Sequence, residues 1–270
     1  MFSVEILKKR LKEIDSSPQK AMGQNFLVSS HVISSIIEAA REEFVSELIE
    51  IGPGLGALTD ELIKIKSDLR AIEFDKKLVT YWEDRGLSVI SGDALKINWN
   101  ELSLPAETLL VSNLPYQISS SIVIDRSIYS PEISGMVLMF QKEVAQRILA
   151  GKSTKENGLL TIVAQTFWDI SKVVDAGPKE FYPPPKIASR VLKFKRKPIV
   201  IDDGKKYLSF VKTAFVQRRK KLTKNLSALG FDKVKLKEHL EGIGFKEDVR
   251  AEHLDSDDFV KLFNSLGEVQ

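Results

Sequence analysis

The sequence predicts an α/β fold, in which helices cover both faces of a parallel sheet, followed by a small all-α region at the C-terminus. Between residues 46 and 140, short apolar segments that each end near a polar residue alternate with segments of helical periodicity. After Pro198 the strand pattern stops and only helical periodicity continues. We therefore expect one domain over residues 1–197 and a second, helical domain over residues 198–270.

The chain begins with two predicted helices. Apolar residues recur at every third or fourth position in residues 3–14, opposite a basic face, which predicts an amphipathic helix. A polar, glycine-containing loop follows over residues 19–27. Residues 29–43 predict a second helix, because Ser29 or Ser30 can cap its start.

Strands and helices then alternate along the chain. The expected strands of the sheet cover residues 46–51, 69–74, 87–94, 108–113 and 135–140, with helices over 57–65 and 76–85 between the first three. Two further helices, over 141–150 and 156–165, precede strands over 169–176 and 187–194. The prolines in residues 181–186 predict a stiff loop, because each proline fixes φ and lacks an amide donor. The C-terminal region predicts helices over 207–226, 234–243 and 256–266.

The composition excludes several classes of protein and site. Without cysteine the chain forms no disulfide, thiolate metal site or cysteine nucleophile. Its three histidines, His31, His239 and His253, are far apart in sequence, so we expect no histidine-based metal site. The N-terminal region does not resemble a secretion signal, and no apolar run reaches the roughly 20 residues that a membrane helix needs. We expect a soluble, cytoplasmic, metal-free monomer.

Basic residues concentrate towards the C-terminus. The net charge is +3, and residues 193–224 contain twelve lysines and arginines against only Asp202 and Asp203 as acids. A polyanion-binding face requires such an asymmetry, although a solvated lysine-rich helix has the same composition. Within this stretch, residues 217–221 read QRRKK, which would surround one turn of the predicted helix and suit phosphate contact.

A glycine-rich turn marks a candidate nucleotide site. In the segment EIGPGLGALT, Gly52, Gly54 and Gly56 allow a tight turn and close approach of the backbone to a ligand. Glu73 ends the next strand about 20 residues further on, where it can accept hydrogen bonds from both ribose hydroxyls. Asp93 ends the third strand, where it can accept from an adenine amine. Such a pocket needs no phosphates, so S-adenosylmethionine fits better than NAD. A strand-end cap is the alternative role for either carboxylate.

The segment Asn113-Leu114-Pro115-Tyr116 follows the fourth strand and is the candidate reaction site. The Asn113 side-chain oxygen and the Leu114 carbonyl can accept from the exocyclic amine of a base and draw its lone pair out of conjugation, while Tyr116 can stack on the ring. The alternative is a proline turn with a packed tyrosine. Positioning for in-line attack on a cationic sulfonium and electrostatic stabilisation supply the acceleration, so no strong general base is required. The segment therefore predicts methylation of an amino group on a nucleobase.

Motifs along nearly the whole chain resemble those of the ribosomal RNA adenine dimethyltransferases of the KsgA type. The matching stretches are GQNFL (23–27), EIGPGLGALT (50–59), IEFDKKL (72–78), GDAL (92–95), NLPYQIS (113–119), QKEVAQRI (141–148), FYPPPKIASRV (181–191) and FVQRRKKLTKNL (215–226). Ser112, Gln117 and Asn157 depart from residues that are frequent in the family, and Gln117 lies beside the predicted pocket.

This resemblance implies a Rossmann-like S-adenosylmethionine-dependent methyltransferase sheet and a set of functional residues. It implies a lid over the cofactor formed by GQNFL, a target adenine held by Asn113 to Tyr116, and C-terminal helices that help to grip RNA. Phe181 lies where related enzymes stack the target base, with simple packing as the alternative. The implied cofactor contacts are Asn25, Leu27, Gly52, Gly54, Glu73, Asp93 and Asn113, and the implied RNA contacts are Phe181, Arg218, Arg219, Lys220 and Lys221.

Several functions compete at this point. The resemblance implies N6,N6-dimethylation of two adjacent adenosines in the 3′-terminal hairpin loop of 16S rRNA, with the immature small subunit as partner and a role in its biogenesis. The alternatives are the related enzymes that dimethylate one adenosine of large-subunit rRNA, an N6-adenine DNA methyltransferase, and a protein that acts mainly in subunit assembly. The proline-rich loop and the QRRKK segment favour the small-subunit rRNA enzyme. The DNA enzyme is disfavoured because the sequence has no separate base-reading domain.

Overall fold

The computed structural model describes residues 2–19, 23–43, 45–66, 68–198 and 201–267. Residues 20–22 of the predicted polar loop therefore lie outside the described residues. The chain forms two compact units that interleave in sequence. The first contains Met1–Ile122, Ser130–Ala145 and Ile170–Arg196, and the second contains Val123–Tyr129, Gln146–Asp169 and Lys197–Gln270. The functional division after residue 197 stays a prediction.

The first unit is built on a seven-stranded sheet. In chain order the strands are β1 (Phe26–Leu27), β2 (Glu47–Ile51), β3 (Arg70–Glu73), β4 (Ser88–Ser91), β5 (Thr108–Ser112), β6 (Ile133–Gln141), β7 (Trp168–Ala176), β8 (Phe181–Tyr182) and β9 (Ser189–Arg196). The sheet order is β4-β3-β2-β5-β6-β9-β7, and β1 pairs with β8 in a separate two-stranded ladder. All seven strands of the large sheet were predicted, whereas β1 and β8 were not.

The sheet is mixed: the five strands between residues 47 and 141 form the predicted parallel part, and β9 adds an antiparallel strand beside it. Strands β4, β3, β2, β5 and β6 are parallel to one another, but β9 runs antiparallel to β6, with Gly135 opposite Lys195 and Gln141 opposite Ser189. Strands β2 and β5 are buried almost throughout, as is typical of central parallel strands. Strand β9 instead alternates buried and half-buried residues in part, which suits its antiparallel pairing.

Helices α1 to α4 follow the predicted order. They are α1 (Val4–Glu13), α2 (Ser30–Arg41), α3 (Thr59–Ile65) and α4 (Lys76–Glu83). Ser29 caps α2 by accepting from the amide of Val32, which confirms one of the two expected caps. Asp75 caps α4 by accepting from the amide of Lys77 at 3.0 Å. Helix α5 (Ser119–Tyr129), which the sequence analysis did not identify, follows β5.

The remaining helices are α6 (Lys142–Ile148), α7 (Leu159–Phe167), α8 (Gly204–Ala214), α9 (Leu222–Leu226), α10 (Lys233–Gly242) and α11 (Ser256–Gly267). The second unit packs its helices around aromatic side chains, and the Phe210 ring centroid lies 5.4 Å from that of Phe263. The buried Tyr207 hydroxyl shares a hydrogen bond of 2.8 Å with the hydroxyl of Thr166. Within the described residues, no helix is long and apolar enough to cross a membrane.

The single helix expected over residues 207–226 is two helices, and QRRKK lies in the turn between them. Helix α8 ends at Ala214, and α9 begins only at Leu222. The side-chain amide of Asn225 donates to the carbonyls of Ala214 at 2.7 Å and Gln217 at 3.2 Å. These carbonyls therefore have partners without a continuing helix, which explains why the helical periodicity alone gave the wrong interpretation.

Candidate active site

A cavity of about 360 Å³ lies in the first unit, at the carboxyl ends of strands β2 to β5. Ligands of open α/β sheets bind at this edge. The four strand-end positions predicted to contact a ligand meet here, since Gly52 and the polar residues Glu73, Asp93 and Asn113 all line the cavity. Asn25, Gly54, Leu114, Pro115 and Tyr116 line it as well.

The glycine turn forms one wall of the cavity, and the lid segment, residues 23–28, packs against it. Gly54 has a φ of +54°, which a residue with a side chain rarely adopts. A Cβ atom at Gly54 would also lie 3.3 Å from the ring of Phe26. The absence of a side chain therefore allows the lid to approach the turn closely.

Glu73 is held as an acceptor at the end of β3. Its Oε1 atom accepts from the amides of Phe74 at 2.8 Å and Asp75 at 2.9 Å. Burial raises the pKa of the Glu73 carboxyl, and the backbone hydrogen bonds oppose this shift by stabilising the carboxylate. Glu73 is 7% exposed, so little water reaches its carboxylate. Hydrogen bonds donated by a ligand would take the place of the bonds to water that burial has removed.

Asp93 and Asp75 supply two more carboxylates at the cavity. Asp93 accepts from the amide of Leu95 at 3.0 Å, and its other oxygen lies 3.7 Å from the ammonium of Lys96. Asp75 accepts from the side-chain amide of Gln24 at 3.3 Å, which ties the lid segment to the start of α4. No group of three or more side chains suited to hold a metal ion occurs within the described ranges.

The Asn113–Tyr116 loop is fixed by its side chains on two sides. The amide nitrogen of Asn113 donates to the carbonyl of Asn25 in the lid at 3.3 Å, which leaves the side-chain oxygen of Asn113 as the acceptor of that group. The hydroxyl of Tyr116 forms a hydrogen bond of 2.9 Å with that of Ser189 in β9, and burial raises the pKa of the phenol. The loop thus presents an oxygen acceptor and an immobilised aromatic ring to the same cavity.

Two residues implied by the resemblance lie outside the cavity lining. Leu27 is 1% exposed and Phe181 is 3% exposed, and both belong to the hydrophobic core. They oppose each other in the β1–β8 ladder, and the amide of Val28 extends it by donating to Glu180 at 2.8 Å. In this structure both residues anchor the lid segment by packing, and neither presents its side chain to a ligand in the cavity.

The four basic side chains expected to contact RNA lie in the second unit and differ in their surroundings. The Arg218 guanidinium donates to the carbonyls of Lys155 and Asn157, at 2.8 Å each, and lies 3.3 Å from Glu252. Lys221 lies 3.5 Å from Glu247. Arg219 and Lys220 are exposed to solvent. Arg218 therefore stabilises its own unit as well as offering positive charge.

The structure adds cavity residues that the sequence analysis did not single out as ligands. Phe74 directly follows Glu73, lines the cavity, and leaves 64% of its surface exposed. The sequence signal that could have identified Phe74 is its position, as an aromatic residue immediately after the acid that ends a strand. Gln24 and Gln117 also line the cavity, and Gln117 lies so close to Gly23 that a Cβ there would be 2.8 Å from its Oε1 atom.

Glu50 is a second addition, behind the glycine turn and outside the cavity lining. It is 1% exposed, and its Oε2 atom accepts from the hydroxyl of Thr59 at 2.8 Å. Burial raises the pKa of this carboxyl to about 8, and the nearby charges of Glu73 and Asp60 act in the same direction. The protonated form of Glu50 is therefore favoured at neutral pH, although the hydrogen bond from Thr59 opposes the shift, and the sequence context alone did not indicate this.

These features are those expected of one class of enzyme. A glycine turn, two strand-end carboxylates and an acceptor–aromatic loop on a Rossmann-like sheet are the arrangement predicted for a methyltransferase that acts on a base.

Comparison with known proteins narrows this class to one family. The sequence model of the family described as ribosomal RNA adenine dimethylase matches residues 16–268. A protein of Bdellovibrio bacteriovorus named ribosomal RNA small subunit methyltransferase A is 49% identical over 228 residues, which are 84% of this chain and 83% of that protein. The chain belongs to the ribosomal RNA adenine dimethylase family.

Two solved structures resemble this one. A dimethyladenosine transferase from Plasmodium falciparum superimposes with a TM-score of 0.74 at 28% identity, over 90% of this chain and 98% of the other. The 23S rRNA methyltransferase ErmE superimposes with a TM-score of 0.67 over 90% of this chain and 100% of the other. At 23% identity the second likeness concerns the fold alone.

Proposed function

We propose that this protein transfers methyl groups from S-adenosylmethionine to the N6 atoms of two adjacent adenosines in the 3′-terminal hairpin loop of 16S rRNA. Each adenosine becomes N6,N6-dimethyladenosine, and the substrate is the immature small subunit, whose biogenesis the protein assists. The observation that carries this proposal is the convergence of Glu73, Asp93 and the Asn113–Tyr116 loop on one cavity. The names of the curated relatives support the choice of the small subunit.

The proposed cofactor contacts follow from the chemistry of the cavity walls. Glu73 is the acceptor for the ribose hydroxyls, because its carboxylate is held in place by two backbone amides. Asp93 is the acceptor for the adenine amine, and the exposed ring of Phe74 provides an apolar surface for the adenine face. Gly52 and Gly54 give the ligand access to the backbone, and Asn25 covers it from the lid segment.

The target adenine is held by the Asn113–Tyr116 loop. S-adenosylmethionine, when bound, supplies an electrophilic methyl group. The Asn113 oxygen and the Leu114 carbonyl accept hydrogen bonds from the adenine amine, which directs the nitrogen lone pair out of the ring system. Tyr116 stacks on the base and fixes its plane, because its hydroxyl is bonded to Ser189. The gain in rate comes from orientation and from stabilising the positive charge that develops on the amine.

The proposed RNA contacts lie in the turn between α8 and α9. Arg219 and Lys220 are exposed there, and the neighbouring Val216 is 72% exposed. Such a turn contacts phosphates without reading sequence, so its contribution to binding falls as salt rises. Arg218 and Lys221 add charge, and Phe181 contributes by packing under the lid segment. The target base leaves any stack to enter the cavity, at a cost of a few kcal/mol that favours a loop substrate.

Methyl transfer to defined substrates tests the proposal. Labelled S-adenosylmethionine is incubated with small subunits that lack the modification, with large subunits, and with duplex DNA, and the product nucleosides are resolved. We expect N6,N6-dimethyladenosine in small-subunit RNA alone. Label in large-subunit RNA instead would identify the other rRNA activity. Tight binding of cofactor and subunit without transfer would favour a protein that acts mainly in assembly.

Two variants connect the activity to the loop. Asn113→Ala removes the acceptor and should abolish transfer, whereas Asn113→Asp keeps an oxygen acceptor and loses the donation to Asn25. Asn100→Ala, which alters an exposed asparagine, is the matched control. Full activity in Asn113→Ala would refute the role assigned to this side chain.

A further inference from the structure

Two side chains that do not line the cavity donate hydrogen bonds to the backbone of the glycine turn. The guanidinium of Arg10, in the N-terminal helix α1, donates to the carbonyl of Leu55 at 2.7 Å. The indole of Trp82, in α4, donates to the carbonyl of Gly54 at 2.8 Å. Neither Arg10 nor Trp82 is among the residues that line the cavity.

These two hydrogen bonds fix the orientation of consecutive peptide groups. The carbonyl and the amide of a trans peptide point in opposite directions, so a fixed carbonyl also fixes the amide of the following residue. The amide of Gly56 accordingly points to the carbonyl of Pro53, at 3.0 Å, and closes the turn. The wall that Gly52 and Gly54 present to the cavity therefore depends on contacts made from the other side.

Arg10 is itself held in place by an acidic partner and by close packing. Its guanidinium forms an ion pair with Asp60 at 2.8 Å, and its side chain is 22% exposed. At Gly56, which has a φ of +96°, a Cβ atom would lie 2.3 Å from the Arg10 Nη1 atom. Any side chain at Gly56 would displace the guanidinium, so this glycine makes room for Arg10 as well as for the turn.

Helix α1 has other attachments that do not involve the turn. Glu13 forms an ion pair with Arg85 at 3.0 Å, and the carbonyl of Asp15 accepts from the ammonium of Lys77 at 2.6 Å. If Arg10 only attached α1 to the first unit, it would do the same as these two contacts. The bond from Arg10 to Leu55 distinguishes it, because it reaches the backbone that forms the cofactor wall.

We propose that Arg10 is a positioning residue for the cofactor, acting through the glycine turn, with Trp82 as its counterpart on α4. This inference rests on the proposed function only in taking S-adenosylmethionine as the cavity's ligand. It assigns to the N-terminal helix a part in cofactor binding although the helix does not contact the cofactor site.

Calorimetric titration of the full chain with S-adenosylmethionine tests this proposal, together with steady-state kinetics on small subunits. Arg10→Met keeps the length of the side chain but removes its donors. We expect its dissociation constant for S-adenosylmethionine to rise about tenfold, which corresponds to about 1.4 kcal/mol. The KM for the RNA substrate and the kcat at saturating cofactor should stay near the wild-type values, because the adenine loop is unchanged. Arg10→Lys should recover part of the affinity.

The matched control is Glu13→Gln, which removes an ion pair of α1 that does not reach the turn. It should bind S-adenosylmethionine as tightly as the wild-type protein. Asp60→Asn should show a smaller loss than Arg10→Met, because the bond from Arg10 to Leu55 remains. Trp82→Phe keeps an aromatic ring but removes the donor to Gly54, and it should also weaken binding, which provides a second route if Arg10→Met does not fold.

The outcomes separate the inference from the function on which it rests. A wild-type protein that binds no S-adenosylmethionine would contradict the proposed function itself. Wild-type affinity in folded Arg10→Met and Trp82→Phe would overturn the inference alone. An equal loss in Glu13→Gln would also overturn it, because the effect would then belong to the attachment of α1 in general.

Discussion

Replacing Glu50 with glutamine isolates the effect of one buried acid on stability. The carboxyl lies behind the glycine turn and accepts from Thr59, and the glutamine amide oxygen can accept the same hydrogen bond. Burial raises the pKa of Glu50 from 4.5 to about 8 in the folded protein. Glutamine keeps the shape of the side chain but cannot ionise. The difference in unfolding free energy between the two proteins therefore measures the effect of ionising Glu50.

The sign follows from proton linkage. Between pH 4.5 and 8 the folded state holds the Glu50 proton while the unfolded state has released it. The folded state therefore binds more protons in this window, and raising the pH favours unfolding. Within this window, each pH unit changes the free energy of unfolding by about 1.4 kcal/mol. From pH 5.5 to 7.5 the free energy of unfolding of the wild-type protein should fall by about 2–3 kcal/mol relative to Glu50→Gln.

Urea unfolding at half-unit pH intervals, in constant ionic strength, measures this difference directly. Glu73 is a second acid whose pKa burial raises, and it is present in both proteins, so its contribution largely cancels. Glu83→Gln, at the exposed end of α4, controls for the loss of one negative charge. A wild-type minus Glu50→Gln difference that stays constant from pH 5.5 to 7.5 would refute the reasoning, since Glu50 would then be ionised in the folded state.

Three further predictions concern the cavity and the second unit. Phe74→Ala should raise the dissociation constant for S-adenosylmethionine about fivefold by removing an aromatic surface worth about 1 kcal/mol, with little change in melting temperature because the ring is exposed; unchanged affinity by calorimetry would argue against adenine contact. Tyr116→Phe should keep most of the methyl transfer activity while Tyr116→Ala loses about 10-fold to 100-fold in kcat/KM, since stacking needs the ring; equal losses in the two variants would assign the role to the hydroxyl. Asn225→Ala should lower the free energy of unfolding by about 1–3 kcal/mol in urea, because the carbonyls of Ala214 and Gln217 lose their donor; the exposed Asn100→Ala should lower it far less.

The sheet and most of the cavity were predictable because their signals are local. Each of the first four strands of the sheet ends beside a residue suited to a ligand, and parallel strands bring those ends to one edge, so Glu73, Asp93 and Asn113 could be grouped before any contact was known. The end of α8 was not predictable in this way, because the donor for its last carbonyl is Asn225, eleven residues further along the chain.

The properties that escaped prediction depend on contacts between distant segments. The antiparallel direction of β9 is decided by its pairing with β6, which the alternation of its residues does not specify. The raised pKa of Glu50 depends on its complete burial in the folded unit, which its neighbours in the sequence do not specify. The resemblance placed Leu27 among the cofactor contacts, and its side chain packs in the core next to lid residues that line the cavity, a difference that the sequence does not signal.

The lid segment is attached unevenly, and we expect this to matter for how one amine receives two methyl groups. Residues 26–28 are anchored by buried side chains and by the pairing of β1 with β8, whereas the bonds of Gln24 to Asp75 and of Asn113 to Asn25 are each 3.3 Å long. We therefore expect residues 23–25 to open more readily than residues 26–28, although Gln24 also accepts from the amide of Gln19 at 2.9 Å. Such opening would let spent donor leave and fresh donor enter between the two transfers, and amide hydrogen exchange should be faster at residues 23–25 than at residues 26–28.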